Sequence, residues 1–553
     1  MAGGQMSEDK RGAEAVGLMQ PWALTIDKIL AHAARWHPAA EIASREPDGS
    51  ISRTTYGAIE RRARQLSSML LAGGIGRGDR IATLAMNSAR HVEAWYAIAG
   101  IGAVCHTLNP RLFDEQLNYI VNHASDRWII ADPAFTPILE RLLPGCPGVE
   151  RVVYLGESPA ASVGGVPASS YESLIAGAGA DCRWGDFDEN TAAGLCYTSG
   201  TTGNPKGVLY SHRSQVLHTL LTCTAAAFGV TSRDTVLMVV PMFHANAWGI
   251  PFSATSVGAK LVLPGPRLDG ASVYELLEGE AVTFSAAVPT VWQLLLDYMI
   301  ANRLRLTTLK RVLIGGSACP ESLIRTFADQ HGVEVVHGWG MTEMSPLGTA
   351  STPSGEVAKL PEATRHALQL KQGRVIFGVD MKITDDEGRT LPHDGVQQGH
   401  VKVRGPCVIE RYFRAEDVDV LDAEGYFDTG DIATIDRYGY MQITDRAKDL
   451  IKSGGEWISS VEIENVAAGH PKALMAAVIG IPHPKWRERP LLLVKLRPGQ
   501  SATPQEFLGY LDGKIARWWM PDEVVFVEEM PLGATGKLDK KRLRARYAAG
   551  RTA

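Results

Sequence analysis

A chain of 553 residues, 45% hydrophobic and 21% charged, is long enough for several cores and has the balance of an ordinary globular enzyme. Its net charge of −5, with no long basic run, offers nothing for nucleic acid or an anionic membrane surface to hold. The seven cysteines (Cys105, Cys146, Cys182, Cys196, Cys223, Cys319 and Cys407) are odd in number, scattered and without a C-x-x-C pair. That weighs against a disulfide framework or a structural zinc site and suits a reducing cytoplasm.

In chain order, residues 1–20 carry Glu8, Asp9 and Glu14 and no apolar core, so they read as a loose leader and not as a signal peptide. The longest apolar stretch, Ala94 to Cys105, is too short and too glycine-interrupted to span a bilayer. From Trp22 to Tyr440, strand patterns alternate with helical ones. Strands are expected at Arg80–Met86, Trp128–Ala131, Thr235–Val240, Lys260–Leu263 and Arg311–Ile314, with helices at His91–Ile101 and Val291–Ile300. Such alternation predicts layered α/β sheets. From about Val375 short strands broken by Gly, Asp and Pro take over, as in Met381–Thr384 and His400–Arg404, and predict a small distorted β-barrel. The charged stretch Thr444–Lys448 marks a boundary. The expected division is a leader over 1–20, a large N-terminal domain over 21–445 of two layered α/β subdomains plus the barrel, and a small C-terminal α+β domain over 446–553.

The densest chemistry lies in Tyr197–Val208. Thr198, Ser199, Thr201 and Thr202 bring four hydroxyls, Gly200 and Gly203 leave backbone N–H groups unhindered, and Lys206 adds an ammonium. Those are the groups a polyphosphate needs around it. The segment is a near miss to the common P-loop, because Pro205 precedes the lysine and Gly207 follows it where a hydroxyl belongs. Its flanks, Gly194–Tyr197 and Val208–His212, read as strands, so the loop closes a hairpin and does not open a helix. Standing alone, it is equally a Ser/Thr/Gly-rich surface turn. Four further segments accompany it: His337-Gly-Trp-Gly-Met-Thr-Glu343, Tyr426-Phe-Asp-Thr-Gly-Asp431, Asp445 to Trp457, and Gly536-Lys537.

With these five motifs in order, the chain resembles the AMP-forming acyl-CoA synthetases of the adenylate-forming superfamily, over essentially everything after the leader. Pro241–Trp248, Lys452–Ser460 and His483–Pro490 resemble the branch of fatty-acyl-CoA synthetases and 3-(methylthio)propionyl-CoA ligases. The resemblance implies attack of a carboxylate on the α-phosphate of ATP, release of pyrophosphate, and transfer of the acyl group from the acyl adenylate to CoA with release of AMP. It implies ATP, Mg²⁺ and CoA as co-substrates and cofactor, a mobile C-terminal domain, a cytoplasmic enzyme without a transmembrane segment, and a homodimer through the large domain.

By motif position, the resemblance gives Thr198, Ser199, Gly200, Thr201, Thr202, Gly203 and Lys206 to the β/γ-phosphates. Glu343 with Thr198 would hold Mg²⁺, Thr342 would touch the α-phosphate, and Lys537 would bridge the acid and the α-phosphate. Asp431 and Arg446 would hold the ribose, and Trp339, flanked by Gly338 and Gly340, would stack on adenine near Gly316. His337 either caps the adenine pocket or is a satisfied strand-end histidine. Lys448 matches the hinge, about which the Lys537 loop and the segment with Lys452, Gly454, Gly455 and Trp457 would alternate. Lys452 and Trp457 would line AMP and the CoA path. Lys485, Arg487 and Arg489 are CoA-phosphate contacts or a solvated basic patch.

His244, Ala245, Trp248, Trp292, Gly315 and Gly316 are expected to border the acyl pocket, with Trp248 either a gate or a core aromatic. Amino-acid-activating relatives carry an aspartate where His244 stands, so an amino-acid substrate would bring an unpaired buried ammonium. The walls favour a short- to medium-chain aliphatic or thioether acid such as 3-(methylthio)propionate. The alternatives are a long-chain fatty acid and, less favoured, a luciferase-like oxygenase.

Overall fold

Two sheets organise the large N-terminal part, and the helices between them explain its core. The structure, a computed structural model, describes residues 18–198, 204–416, 418–453, 456–533 and 538–548. The first sheet has nine strands, in the order Arg374–Val375, Leu347–Ala350, Glu334–Gly340, Arg311–Ile314, Phe284–Ala287, Thr235–Leu237, Lys260–Leu263, Glu41–Arg45 and Ile51–Thr55. Its centre is parallel and its edges antiparallel. The second has eight strands, running Lys206–Ser211, Ala192–Thr198, Val104–Thr107, Arg80–Leu84, Asp126–Ala131, Arg151–Tyr154, Val166–Ser170 and Ser162–Val163.

One apolar cluster takes residues from both sheets, among them Ile81, Ile130, Leu261 and Phe284, together with Leu30, Leu66 and Trp95 from helices. The helices Asp27–Trp36, Tyr56–Ala72 and Ala89–Gly100 therefore form a shared middle layer. Alternate residues of each strand point the other way. On the outer faces they build separate clusters, around Trp292 and Phe327 for the first sheet and around Ile129 and Tyr154 for the second. The arrangement is the layered α/β architecture expected.

Most predicted elements fall within a residue or two of their observed limits. The Thr235–Val240 strand is shorter, ending at Leu237. Where a barrel is expected, Asp380–Thr384, Gly399–Arg404, Phe427–Ile435 and Met441–Arg446 form an open four-stranded antiparallel sheet. The charged boundary segment begins inside its last strand. In the smaller C-terminal α+β unit, Ala473–His483 and Arg487–Leu496 form the main hairpin. Helices Ser460–Ala468, Pro504–Leu511 and Lys540–Tyr547 pack on this five-stranded sheet. Among the described residues no helix is long and apolar enough to cross a membrane.

Candidate active site

The carboxyl ends of the parallel strands are where an open α/β sheet leaves a crevice, and Thr198, Gly315, Gly316, Gly338, Trp339 and Gly340 lie at such ends. Ile314 pairs with His337 on the neighbouring strand, which places Gly315, just past the end of its own strand, beside Gly338 within the next. From the second sheet, Ala192–Thr198 and Lys206–Ser211 pair antiparallel, with Thr198 opposite Lys206. The strands on either side of the Ser/Thr/Gly-rich segment thus form an antiparallel pair, as their sequences predict. Ser199, Gly200, Thr201, Thr202 and Gly203 lie outside the described residues, as do Gly454, Gly455 and Lys537.

Three chain segments meet at Glu343. The Tyr412 hydroxyl donates to Glu343 Oε1 at 2.8 Å, and the Lys206 ammonium sits 4.8 Å over the Tyr412 ring. Tyr210 of the hairpin donates to the Thr342 carbonyl at 2.7 Å. The backbone N–H of Ile409 reaches the Glu343 carbonyl, and that of Phe413 reaches Gly207. Burial, with the Glu343 carboxylate beside it, pushes the Tyr412 phenol far above its ordinary pKa, so it stays a donor. Sequence reasoning missed Tyr412 and Tyr210, since neither lies in a recognisable cluster of polar residues.

Glu343 is almost wholly buried, yet no group of three or more His, Cys, Asp or Glu side chains gathers to cage a metal among the described residues. One carboxylate next to a phosphate loop fits Mg²⁺, which keeps waters and phosphate oxygens as most of its ligands.

A second junction holds Asp431. Trp339 Nε1 donates to Asp431 Oδ2 at 2.9 Å, and Arg446 Nε lies 3.3 Å from Oδ1. Asp431 and Arg446 are also cross-strand partners. Trp339 packs among Val208, Tyr210 and Met344, so the visible work of its indole is to orient this carboxylate. Gly340 is required by backbone packing, because a Cβ there would stand 2.0 Å from the Pro346 carbonyl oxygen. His337 is buried, its Nδ1 on the Leu370 carbonyl and Nε2 without a partner, and burial lowers its pKa to about 4.

Ala245, Asn246, Ala247 and Trp248 have φ of 43°, 53°, 52° and 57°, a left-handed turn ending in Gly249 at 76°. Each non-glycine residue there costs roughly 1–2 kcal/mol, and such strain is a mark of functional segments. The turn presents Trp248 to the two glycines: a Cβ at Gly315 would lie 3.5 Å, and one at Gly316 3.6 Å, from its ring. His244 precedes the turn, half-buried. Trp292 is a correction to the expected acyl wall. It packs edge-on against Phe327 in the cluster on the outer face of the nine-stranded sheet, and that sheet separates it from Trp248.

Across the boundary, Ala447 N–H donates to the Gly430 carbonyl, Lys448 is exposed, and Lys452 pairs with Trp457 across a short hairpin. Arg489 is spoken for structurally, bonded to Asp522 and to the Trp518 and Met520 carbonyls.

The AMP-binding enzyme family model matches residues 30–413, and the AMP-binding enzyme C-terminal domain model matches 462–537. The chain belongs to the AMP-binding enzyme family. It is an AMP-forming acyl-CoA synthetase, an acid–thiol ligase of a family that uses ATP, Mg²⁺ and CoA. The synthetase is 50% identical to a 3-methylmercaptopropionyl-CoA ligase of Ruegeria lacuscaerulensis over 96% of this chain and 99% of the relative. It is 49% identical to a medium-chain-fatty-acid–CoA ligase of Ectopseudomonas oleovorans, over 96% and 97%. A crystal structure of an anthranilate CoA ligase in complex with anthranoyl-AMP superposes with a TM-score of 0.84, at 24% identity, over 97% and 98%.

Proposed function

We propose that this synthetase activates a short- to medium-chain aliphatic or thioether acid, such as 3-(methylthio)propionate, and transfers it to CoA. Two relatives about half identical to this chain are named for such acids. Trp248 lies against Gly315 and Gly316, and His244, where amino-acid-activating relatives carry an aspartate, brings no carboxylate for an ammonium-bearing substrate.

A free carboxylate is a poor acyl donor, and its attack on ATP brings an anion against a tetra-anion. Charge neutralisation by preorganised groups is therefore the main demand on the protein. Bound Mg²⁺ supplies part of it. By motif, Lys206, Thr198 and the 199–203 segment would contact the β/γ-phosphates, Glu343 with Thr198 would hold Mg²⁺, and Thr342 would meet the α-phosphate. Asp431, oriented by Trp339 and Arg446, accepts from the ribose hydroxyls, with Gly316, His337, Gly338 and Gly340 around the base. Lys537, by motif, bridges the acid and the α-phosphate. Rotation about Lys448 then exchanges that lysine for the Lys452–Trp457 hairpin, whose glycines let the pantetheine pass.

The observation that carries this reading is the joining of hairpin, Thr342–Glu343 and Tyr412 into one hydrogen-bonded unit. A panel of acids from propionate to palmitate, with 3-(methylthio)propionate, scored for acyl-CoA and pyrophosphate, tests it. Highest kcat/KM on palmitate, or no acyl-CoA from any acid, overturns it. The division at 445/446, a cytoplasmic location and a homodimer through the large domain belong to the same reading. The C-terminal edge of strand Met441–Arg446 supports the first.

A further inference from the structure

Two side chains of one helix and one of the left-handed turn are buried with polar atoms that no described residue satisfies. Gln215 is 1% exposed and both its amide nitrogen and its amide oxygen lack partners. His218, one turn along the helix His212–Thr222, is also 1% exposed, with Nδ1 unpartnered. Asn246, inside the turn and 2% exposed, has an unpartnered Nδ2, while its Oδ1 faces Cys196 Sγ at 3.5 Å. Buried polar atoms are nearly always hydrogen-bonded, so a group of orphans calls for an occupant.

Their placement says where the occupant lies. Gln215 and His218 are three residues apart and share one helix face. That helix packs on the turn and on the strand Ala192–Thr198 that carries Cys196. A Cβ added to Gly249 would lie 2.9 Å from His218 Nδ1, so the imidazole edge fills the space left bare next to Trp248.

The tautomer follows from the partners. Leu347 N–H donates to His218 Nε2 at 3.1 Å, which makes Nε2 the acceptor. Burial lowers the ring's pKa to about 3, so it is neutral and carries its single proton on Nδ1. An N–H donor thus faces the turn.

We propose that Gln215, His218 and Asn246 form a polar subsite in the acyl pocket that takes a hydrogen-bond-accepting heteroatom, a thioether sulfur or an ether oxygen, in the chain of a short acid. This deepens the acid class given above and rests on it. An all-carbon chain of the same length leaves the donors unsatisfied, and the subsite therefore sets specificity without touching the reacting atoms.

The test compares three near-isosteric acids, pentanoate, 3-(methylthio)propionate and 3-methoxypropionate, with ATP, Mg²⁺ and CoA on the full chain. His218→Met keeps a weak acceptor for Leu347 N–H and removes the Nδ1 donor without adding another; Gln215→Met keeps volume and removes the amide. The wild type is expected to favour the heteroatom acids by about 3–10-fold in kcat/KM, the worth of one net hydrogen bond. Both variants should bring the ratio close to one. A wild type without preference, or ratios unchanged in both variants, overturns the subsite alone, including the case in which the orphans hold only water. Turnover of long-chain acids with none of these three removes the acid class and the subsite together.

Discussion

The indole N–H of Trp339 donates to the carboxylate of Asp431 at 2.9 Å, joining two motifs 92 residues apart. Asp431 is 5% exposed, so its orientation depends on this donor and on Arg446 at its rim. Trp339→Phe removes the donor and keeps an aromatic ring. A hydrogen bond to a charged group contributes about 1.5–3 kcal/mol, so the Kd for AMP should rise roughly 10–100-fold. Calorimetric titration of AMP into both proteins measures it; an unchanged Kd refutes the ribose role of Asp431.

Tyr412 holds Glu343 in the same way. Tyr412→Phe leaves the ring under the Lys206 ammonium but takes the hydroxyl from Oε1. Half-maximal Mg²⁺ for pyrophosphate release should rise about 10-fold, from loss of one second-sphere partner. Lys206→Met acts differently, raising KM for ATP at saturating Mg²⁺. Steady-state assays over a Mg²⁺ series separate the two.

Acid should erode stability through buried imidazoles. His218 is lowered from 6.5 to about 3 by burial, so folding favours its neutral form. The unfolded state takes up a proton below about pH 6.5, and the folded state does not until near pH 3. His218 therefore withdraws stability as pH falls from 6.5, by about 1.4 kcal/mol per pH unit. His218→Gln has nothing to titrate there. Whatever its stability at pH 7.5, the thermal midpoint of His218→Gln should gain on the wild type between pH 6.5 and 4.5. Parallel melting curves at four pH values decide this.

Arg497 of the smaller unit pairs with Asp297 of the large one at 3.1 Å, both side chains about one-third exposed (35% and 33%). Such a pair is worth under about 1 kcal/mol, enough to bias a domain orientation but not to lock it. Arg497→Asp should slow one half-reaction by about 3-fold and leave the other near its wild-type rate. The charge swap Asp297→Arg with Arg497→Asp should restore it. Single-turnover adenylation and thioester formation are the readouts.

The sequence by itself determined the family, the reaction and the layered α/β class. Strand alternation is a local property, and the loop chemistry of Thr198–Lys206, Thr342–Glu343 and Asp431 is written in contiguous residues. The hairpin closing the phosphate loop was legible for that reason, from the strands on either side. Only the tertiary structure decided which faces those residues share. Trp292 and Trp248 look alike in sequence, yet a sheet divides them, because the helix carrying Trp292 packs on its outer face and the turn carrying Trp248 packs into the middle layer. Tyr412 reaches Glu343 across 69 residues, and the helix that carries Gln215 and His218 lies against the strained turn that carries Asn246. Their partners are brought by packing, and packing between distant segments leaves no mark on local spacing.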